Sequence, residues 1–385
     1  MTFEGIRVLI LEGYARQSLP LIHAFHKLGC HVAALCSSKL DVAYASRLTD
    51  EKILGVCDRE NPTGTAQAVR ELLMTGRYDV VIPTVDFSAK LLADHKEEFS
   101  RYAKVLANDP AVYAIAGDKL ATMAVCMENG IPCPVTLTDV SGIEDALAGG
   151  LRFPIAVKPR VGYGAIGFKR VDSAEELRTL FADSAHDPAD YVFQEYIPQT
   201  GLQYECAVFV DGENTVKTSL VFSKNRWFPV NGGSSTLNIT VHRPDIEESC
   251  SRLLQLIQWR GPADVDLIQD ERDGIAKIME INPRVSGSVK IAFEAGADQA
   301  RQMLEYLYGE PVTAYREYTV GQRLRCTQTD FLWFLKSKNR FHSKPSWFSQ
   351  RHTKDHTFYL SDPLPWFAFS LQGFKKMNKE MEKRS

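Results

Sequence analysis

The stretch ADVDLIQDERDGIAKIMEINPR, Ala263 to Arg284, is two alternating runs joined by the turn-forming residues Asp270 to Gly274. Successive side chains of a strand point to opposite faces, and a turn centred near Asp273 sets Asp266 across from Glu280. Asp266, Glu280 and Asn282 then share one face, while Leu267 and Ile281 point into a core. Two opposed carboxylates beside an amide oxygen suit a hard divalent cation, and magnesium takes carboxylate and phosphate oxygens together. Arg284 continues the alternation and offers a fork of donors to a phosphate. Taken alone, the pattern fits equally well a solvated hairpin face whose acids pair with cations.

Upstream, VKPRVGYGAIGFKR (157–170) sets Lys158 at the end of the apolar run FPIAVKP and follows it with Gly162, Gly164 and Gly167. A lysine on a strand is a fixed point charge for nucleotide phosphates. A glycine-rich hairpin can close over those phosphates, offering backbone N–H groups without side-chain obstruction. The loop lacks the G-x-x-x-x-G-K-[ST] spacing of a Walker-type loop. A surface turn with incidental glycines is the alternative.

Around these two stretches the chain divides into four units. Residues 1–109 alternate apolar runs (RVLIL, HVAALC, DVVIPTV) with amphipathic segments, which predicts a parallel, doubly wound sheet. The turn EGYARQS carries only Gly13, so it reads as a strand-to-helix turn and not a dinucleotide fingerprint. Residues 110–195 read as helices ending at Gly130, a strand at 153–159, the glycine hairpin, and a helix opened by a Ser173/Glu176 capping box. Residues 196–312 hold a hairpin turning at Asp211–Glu213, a helix within DIEESCSRLLQLIQW, and the acidic hairpin. Residues 313–385 concentrate aromatics between basic residues, as an interface, a membrane-surface patch or a segment packed on the body.

A chain of 385 residues with 44% hydrophobic and 24% charged residues is ordinary for a globular protein. A net charge of -3 gives no electrostatic footprint for nucleic acid. Eight cysteines without C-x-x-C or zinc spacing read as buried thiols of a reducing compartment. MTFEGIRVLIL lacks the layout of a signal peptide, and no apolar run is long enough for a membrane span, so the expectation is a cytoplasmic protein.

The order of these motifs resembles the ATP-grasp superfamily, in the branch of carbamoyl-phosphate synthetase and the carboxylate–amine ligases, over about residues 5–310. The resemblance implies an α/β and α+β fold: a Rossmann-like N-terminal domain (1–109), a central lobe (110–195) and a C-terminal lobe (196–312) gripping ATP, with 313–385 as an extension. GDKLATM looks like the family's early lysine motif and gives Lys119 a phosphate contact, with Lys158 of VKP as the second phosphate lysine. RVGYGAIGF looks like the mobile loop, carrying Gly162, Gly164 and Gly167. FQEYI resembles the interlobe segment, whose Gln194, Glu195, Tyr196 and Ile197 would hydrogen-bond adenine largely through backbone, and Glu205 would take the ribose hydroxyls. IMEINPRVSGS resembles the metal signature, implying Mg2+, with Mn2+ as a substitute, on Asp266, Glu280 and Asn282, and a catalytic Arg284 beside Lys158.

Two departures from the family stand out. Asp266 replaces the usual Glu or Gln, and Ser234, Ser235 and Thr236 of NGGSSTLNITV occupy the place of a histidine-bearing loop. Those small hydroxyls suit a larger acceptor than bicarbonate, or form a plain turn. Ser286 and Ser288 contact substrate or cap the following helix, and Arg284 also counts among the substrate candidates. The implied activity is an ATP-dependent ligase joining a small-molecule carboxylate to an amine through an acyl phosphate, releasing ADP and phosphate. The alternatives are a kinase or carbamoyl-phosphate-type enzyme, and a nucleotide-binding scaffold docking through its tail. Relatives commonly form homodimers.

Overall fold

A computed structural model describes residues 2–162, 166–182, 187–230 and 233–382, with side chains to residue 373. The first sheet contains β1 (Arg7–Ile10), β2 (His31–Cys36), β3 (Glu51–Leu54), β4 (Val80–Ile82) and β5 (Lys104–Val105). All pair in parallel in the order β3-β2-β1-β4-β5. Alternation along β1 explains its two cores. Val8 and Ile10 pack with Leu21, Ile22 and Phe25 of the helix Ser18–Lys27, whereas Leu9 packs with Val69, Leu73 and Phe99 on the opposite face. The short strands β3 and β5, absent from the sequence reading, are edge strands whose apolar signal is weak: in EKIL no residue is fully buried.

A small antiparallel sheet follows, with β6 (Ile155–Pro159) between β7 (Lys169–Val171) and β8 (Tyr191–Glu195). Its core is Ile155, Val157, Val171, Leu177 and Phe193, closed by Leu137 and Ile143. The helices Pro110–Gly117 and Lys119–Glu128 do not join this core. Their Tyr113, Met123 and Cys126 pack on the large sheet instead, so the small lobe is narrower than the span 110–195.

The large sheet has β9 (Gln203–Val210), β10 (Val216–Phe228), β11 (Ser234–Thr240), β12 (Gly261–Gln269), β13 (Ala276–Asn282), β14 (Arg323–Arg325) and β15 (Thr353–Asp355), ordered β13-β12-β9-β10-β11-β14-β15. One face is largely apolar: Cys206, Val208 and Val210 pack against the helices Lys119–Glu128 and Pro244–Leu256. On the other face β9 runs Phe209, Ala207, Glu205. The first two are buried against the N-terminal domain and the helix Lys290–Ala295, and the third opens the polar end. The C-terminal unit is built into the body through β14, β15 and the helix Thr327–Lys336, whose Asp330 and Trp333 are buried. No described helix is long and apolar enough to cross a membrane.

Candidate active site

The polar end of that face is assembled by register. Asp266 of β12 pairs with Glu280 of β13 on one side and Glu205 of β9 on the other. Asp264 pairs with Asn282 and Ala207, and Lys224 of β10 pairs with Gln203 and Asn238. Asn282, Glu280, Asp264, Asp266, Glu205, Lys224 and Asn238 therefore share one face. A bulge between Asp266 and Leu267 leaves Met279 as an extra residue on β13. Its carbonyl, turned out of the ladder, accepts from Lys158 Nζ at 3.2 Å.

Four cations meet these acids. Lys119, first residue of its helix, donates to the Gly162 carbonyl at 2.8 Å and pairs with Glu280 at 3.2 Å. Lys158 is buried, and burial pulls its ammonium down to about 8 although Glu280 and Asp266 oppose the shift. Lys224 bridges Asp266 and Glu205, the latter at 2.8 Å, and these two carboxylates hold it well above the usual lysine range against its desolvation. Arg284 donates to Asn282 Oδ1 at 2.9 Å and faces Asp86 of the N-terminal domain at 3.3 Å and Asp264 at 3.5 Å. Asp264 is 2% exposed and its Oδ1 has no hydrogen-bond partner. Burial, with Glu205 and Asp266 close by, pushes its carboxyl well above the ordinary value.

Asn282 Nδ2 donates to Asp266 Oδ2 at 3.0 Å. The donor set is thus two carboxylates and an amide, all oxygen, already neutralised by lysines. Among the described residues no three His, Cys, Asp or Glu side chains converge on a closed metal site. The oxygen donors of Asp266, Glu280 and Asn282 fit magnesium, which is held by one or two carboxylates plus phosphate oxygens and seldom by an all-protein cage.

Other sequence candidates spread around this centre. Gly162 and Gly167 take φ of 151° and 78°, and a Cβ on Gly167 would stand 2.7 Å from Pro159 Cγ; Gly164 lies outside the described residues. Gln194 is buried, donates to Thr136 Oγ1 at 3.0 Å and leaves its Oε1 unpartnered. The Glu195 side chain pairs with Arg272 of the β12–β13 turn at 2.5 Å, which ties the small lobe to the large sheet. Arg170 lies over the Tyr196 ring, 5.1 Å from its centroid, and Ile197 is buried.

Ser286 Oγ donates to Glu205 Oε2 at 3.3 Å, and Ser288 Oγ accepts from Asn238 Nδ2 at 2.8 Å. Neither caps the helix Lys290–Ala295, which begins at Val289 without a side-chain cap. Ser235 donates to Asn238 and so extends the polar row, and Ser234 is exposed. Thr236 is turned away from the row: its hydroxyl donates to the buried Asp330 at 2.8 Å. The stretch 234–240 is strand β11, not a turn. Lys224, Asp264 and Asp86 escaped the sequence reading. Lys224 did carry a signal, since SLVFSK ends an apolar run on a lysine just as FPIAVKP does.

Residues 116–288 match the family model described as an ATP-grasp domain. Among curated proteins the chain is similar to D-aspartate ligase of Enterococcus faecium, 26% identical over 248 residues that cover 59% of this chain and 58% of that protein. It is also similar to the ribosomal protein bS6–L-glutamate ligase of Shigella flexneri, 24% identical over 63% of this chain and 81% of that one. Among solved structures, the biotin carboxylase domain dimer of Hydrogenobacter thermophilus 2-oxoglutarate carboxylase, bound to MgADP and bicarbonate, superposes with a TM-score of 0.68. That match has 18% identity over 82% of this chain and 73% of that one. The fold is the ATP-grasp fold.

Proposed function

We propose that the protein is an ATP-dependent ligase that activates a carboxylate as an acyl phosphate and joins it to an amine, releasing ADP and phosphate. The observation that carries this reading is the paired face on which Asp266, Glu280 and Asn282 stand opposite Lys119, Lys158 and Arg284. A carboxylate is a poor electrophile because its leaving group would be oxide, and phosphorylation supplies a competent one. Asp266, Glu280 and Asn282 would hold magnesium, which supplies charge neutralisation at the phosphates when bound. Lys119 and Lys158 would hold phosphate oxygens as fixed cations, and Arg284, poised by Asp86 and Asp264, would offset charge on the transferred group. No nucleophilic side chain is required.

Glycines 162, 164 and 167 would close over the phosphates, the segment Gln194–Ile197 would take adenine, and Glu205 the ribose. The acid would lie along the row Lys224, Asn238, Ser235 toward Ser286 and Ser288, whose hydroxyls line it. Mn2+ would substitute for Mg2+, since the donor set is all oxygen. A homodimer belongs to the same reading, as the biotin carboxylase neighbour is a dimer. A cytoplasmic setting supplies both ATP and the reducing conditions that suit eight free cysteines, seven of them buried.

Hydroxylamine trapping tests the reading. Incubated with Mg-ATP, hydroxylamine and a pool of amino, hydroxy and sugar acids, the protein should yield a hydroxamate identifiable by mass spectrometry. Lys158→Ala should lower its formation at least ~10²-fold. ADP release without any hydroxamate would reject carboxylate activation in favour of a kinase.

A further inference from the structure

The C-terminal unit differs from the rest of the chain in its charge. Residues 331–385 hold 11 Lys and Arg against 4 Asp and Glu, a net +7; with -3 for the whole chain, the remainder carries -10. Within 331–373 every exposed charged side chain is a cation: Lys336, Lys338, Arg340, Lys344, Arg351 and Lys354. Among the described residues only Lys354 of these has an acid partner, Glu294 at 3.7 Å. The two acids of this stretch are turned inward. Asp355 accepts from the backbone N–H groups of Thr327, Thr357 and Phe358, and Asp362, 1% exposed, binds Ser46 and the Arg47 N–H.

The same unit exposes apolar side chains in order. Phe331 and Leu335, one turn apart on the helix Thr327–Lys336, are 48% and 52% exposed. Leu364, Phe367 and Leu371 repeat at spacings of three and four along the helix Leu364–Glu382 and are 61%, 55% and 53% exposed. The helices touch where Gln328 Nε2 donates to Ser370 Oγ at 3.0 Å. Gln328 shares a stripe with Phe331 and Leu335, and Ser370 sits between Phe367 and Leu371, so the two apolar stripes flank one seam.

We propose that this face docks the protein on an anionic lipid bilayer, with the apolar stripes entering the headgroup boundary and the unpaired cations resting among lipid phosphates. Charge complementarity selects this occupant: among the described residues the face offers cations without exposed acids, and much of its apolar area is leucine, which suits acyl chains better than stacked bases. A second copy of this chain meeting it through the same face would bring like charge against like charge. The surface is independent of the ATP site and of the ligase reading.

Cosedimentation of the full chain with two vesicle types tests this. Vesicles of equal parts phosphatidylcholine and phosphatidylglycerol should carry the protein down, phosphatidylcholine alone should not, and salt should release it. The triple variant Lys336→Gln/Lys338→Gln/Arg340→Gln should bind about a hundredfold more weakly, at roughly fivefold per basic residue. Leu371→Asp should bind neither vesicle, and both variants should keep the parent's melting temperature and ATP turnover. Equal binding to both vesicles, or to neither, overturns the proposal. So does a concentration-dependent dimer, seen by light scattering, that Leu371→Asp abolishes while the parent ignores vesicles.

Discussion

Lys224 and Arg226 stand two residues apart on β10 and meet carboxylates in different ways. A register shift between them separates their surroundings. Lys224, its side chain 14% exposed, bridges Asp266 and Glu205 at the edge of the cleft. Arg226 is 2% exposed and pairs with the fully buried Asp330 at 3.0 Å beneath the Trp333 ring, while Arg325 reaches the other Asp330 oxygen at 3.2 Å. The first pair faces a space where a ligand can exchange for either partner. The second is sealed, and its work is to hold the C-terminal unit on the large sheet. On the proposed reading, similar chemistry serves turnover in one place and cohesion in the other, and the two should separate on mutation.

Asp330→Ala should show the largest effect. It leaves Arg226 buried without a counter-charge and takes from Arg325 its nearest carboxylate, leaving Asp355, at a cost of about 3–5 kcal/mol, read as a lower urea midpoint with an unchanged slope. A loss below about 1 kcal/mol would mean that water relieves these cations and that the seal is not tight. Glu280→Gln should do the reverse. Removing a carboxylate that the proposed function assigns to magnesium is expected to lower kcat about 10²–10³-fold, while stability moves by less than about 1 kcal/mol because the Glu280–Lys119 pair is partly exposed. If Glu280→Gln instead melted the protein and spared turnover, the division between the two regions would be wrong.

The sequence made one of these regions legible and hid the other for a physical reason. Asp266 and Glu280 could be set opposite each other because one hairpin closes over a short turn, where period-two alternation fixes register locally. Lys158 and the glycines were readable on the same local grounds. Lys224 was missed because its partners Glu205 and Asp266 depend on β9 lying between β10 and β12, a neighbourhood that no local pattern reports, whereas Asp264 stands on the same alternation as Asp266 and was legible there. The knot of Arg226, Asp330 and Arg325 joins residues about a hundred positions apart, and each alone reads as an ordinary surface charge. Thr236 entered the candidate set as a small hydroxyl near a glycine pair, but strand β11 turns it toward that knot. The helices Pro110–Gly117 and Lys119–Glu128 precede the small sheet in the chain, yet their apolar faces fit the large one.

A buried acid at the end of β1 offers a smaller, pH-dependent test away from both regions. Glu12 is fully buried, its Oε1 has no partner, and burial pushes its carboxyl from 4.5 up to about 7. Because the folded value lies above the unfolded one, the stability this group contributes is complete below pH 4.5 and is lost as pH rises to about 7. Relative to Glu12→Gln, the parent should lose about 3 kcal/mol between pH 4.5 and pH 8, from 1.36 kcal/mol per unit. Parallel stability curves for the two proteins would show that water reaches this carboxylate.

Lys158 gives the smallest effect and the sharpest contrast with Lys224. Both lysines stand near carboxylates and are shielded from water, Lys224 less completely, yet burial prevails at Lys158, about 8, whereas two direct carboxylate partners hold Lys224 far above it. Below pH 8 the Lys158 ammonium is charged, as the proposed phosphate contact requires; as pH rises through that value the charge is lost. The ratio kcat/KM for ATP, which reports the free enzyme, should therefore fall about tenfold per pH unit above this point. In Lys158→Arg, whose guanidinium stays protonated, the plateau should be lower but the alkaline limb absent. Lys224→Arg should leave the limb where it was. A limb that persists in Lys158→Arg would move the titrating group elsewhere in the cleft and leave Lys158 as a fixed charge across the working range.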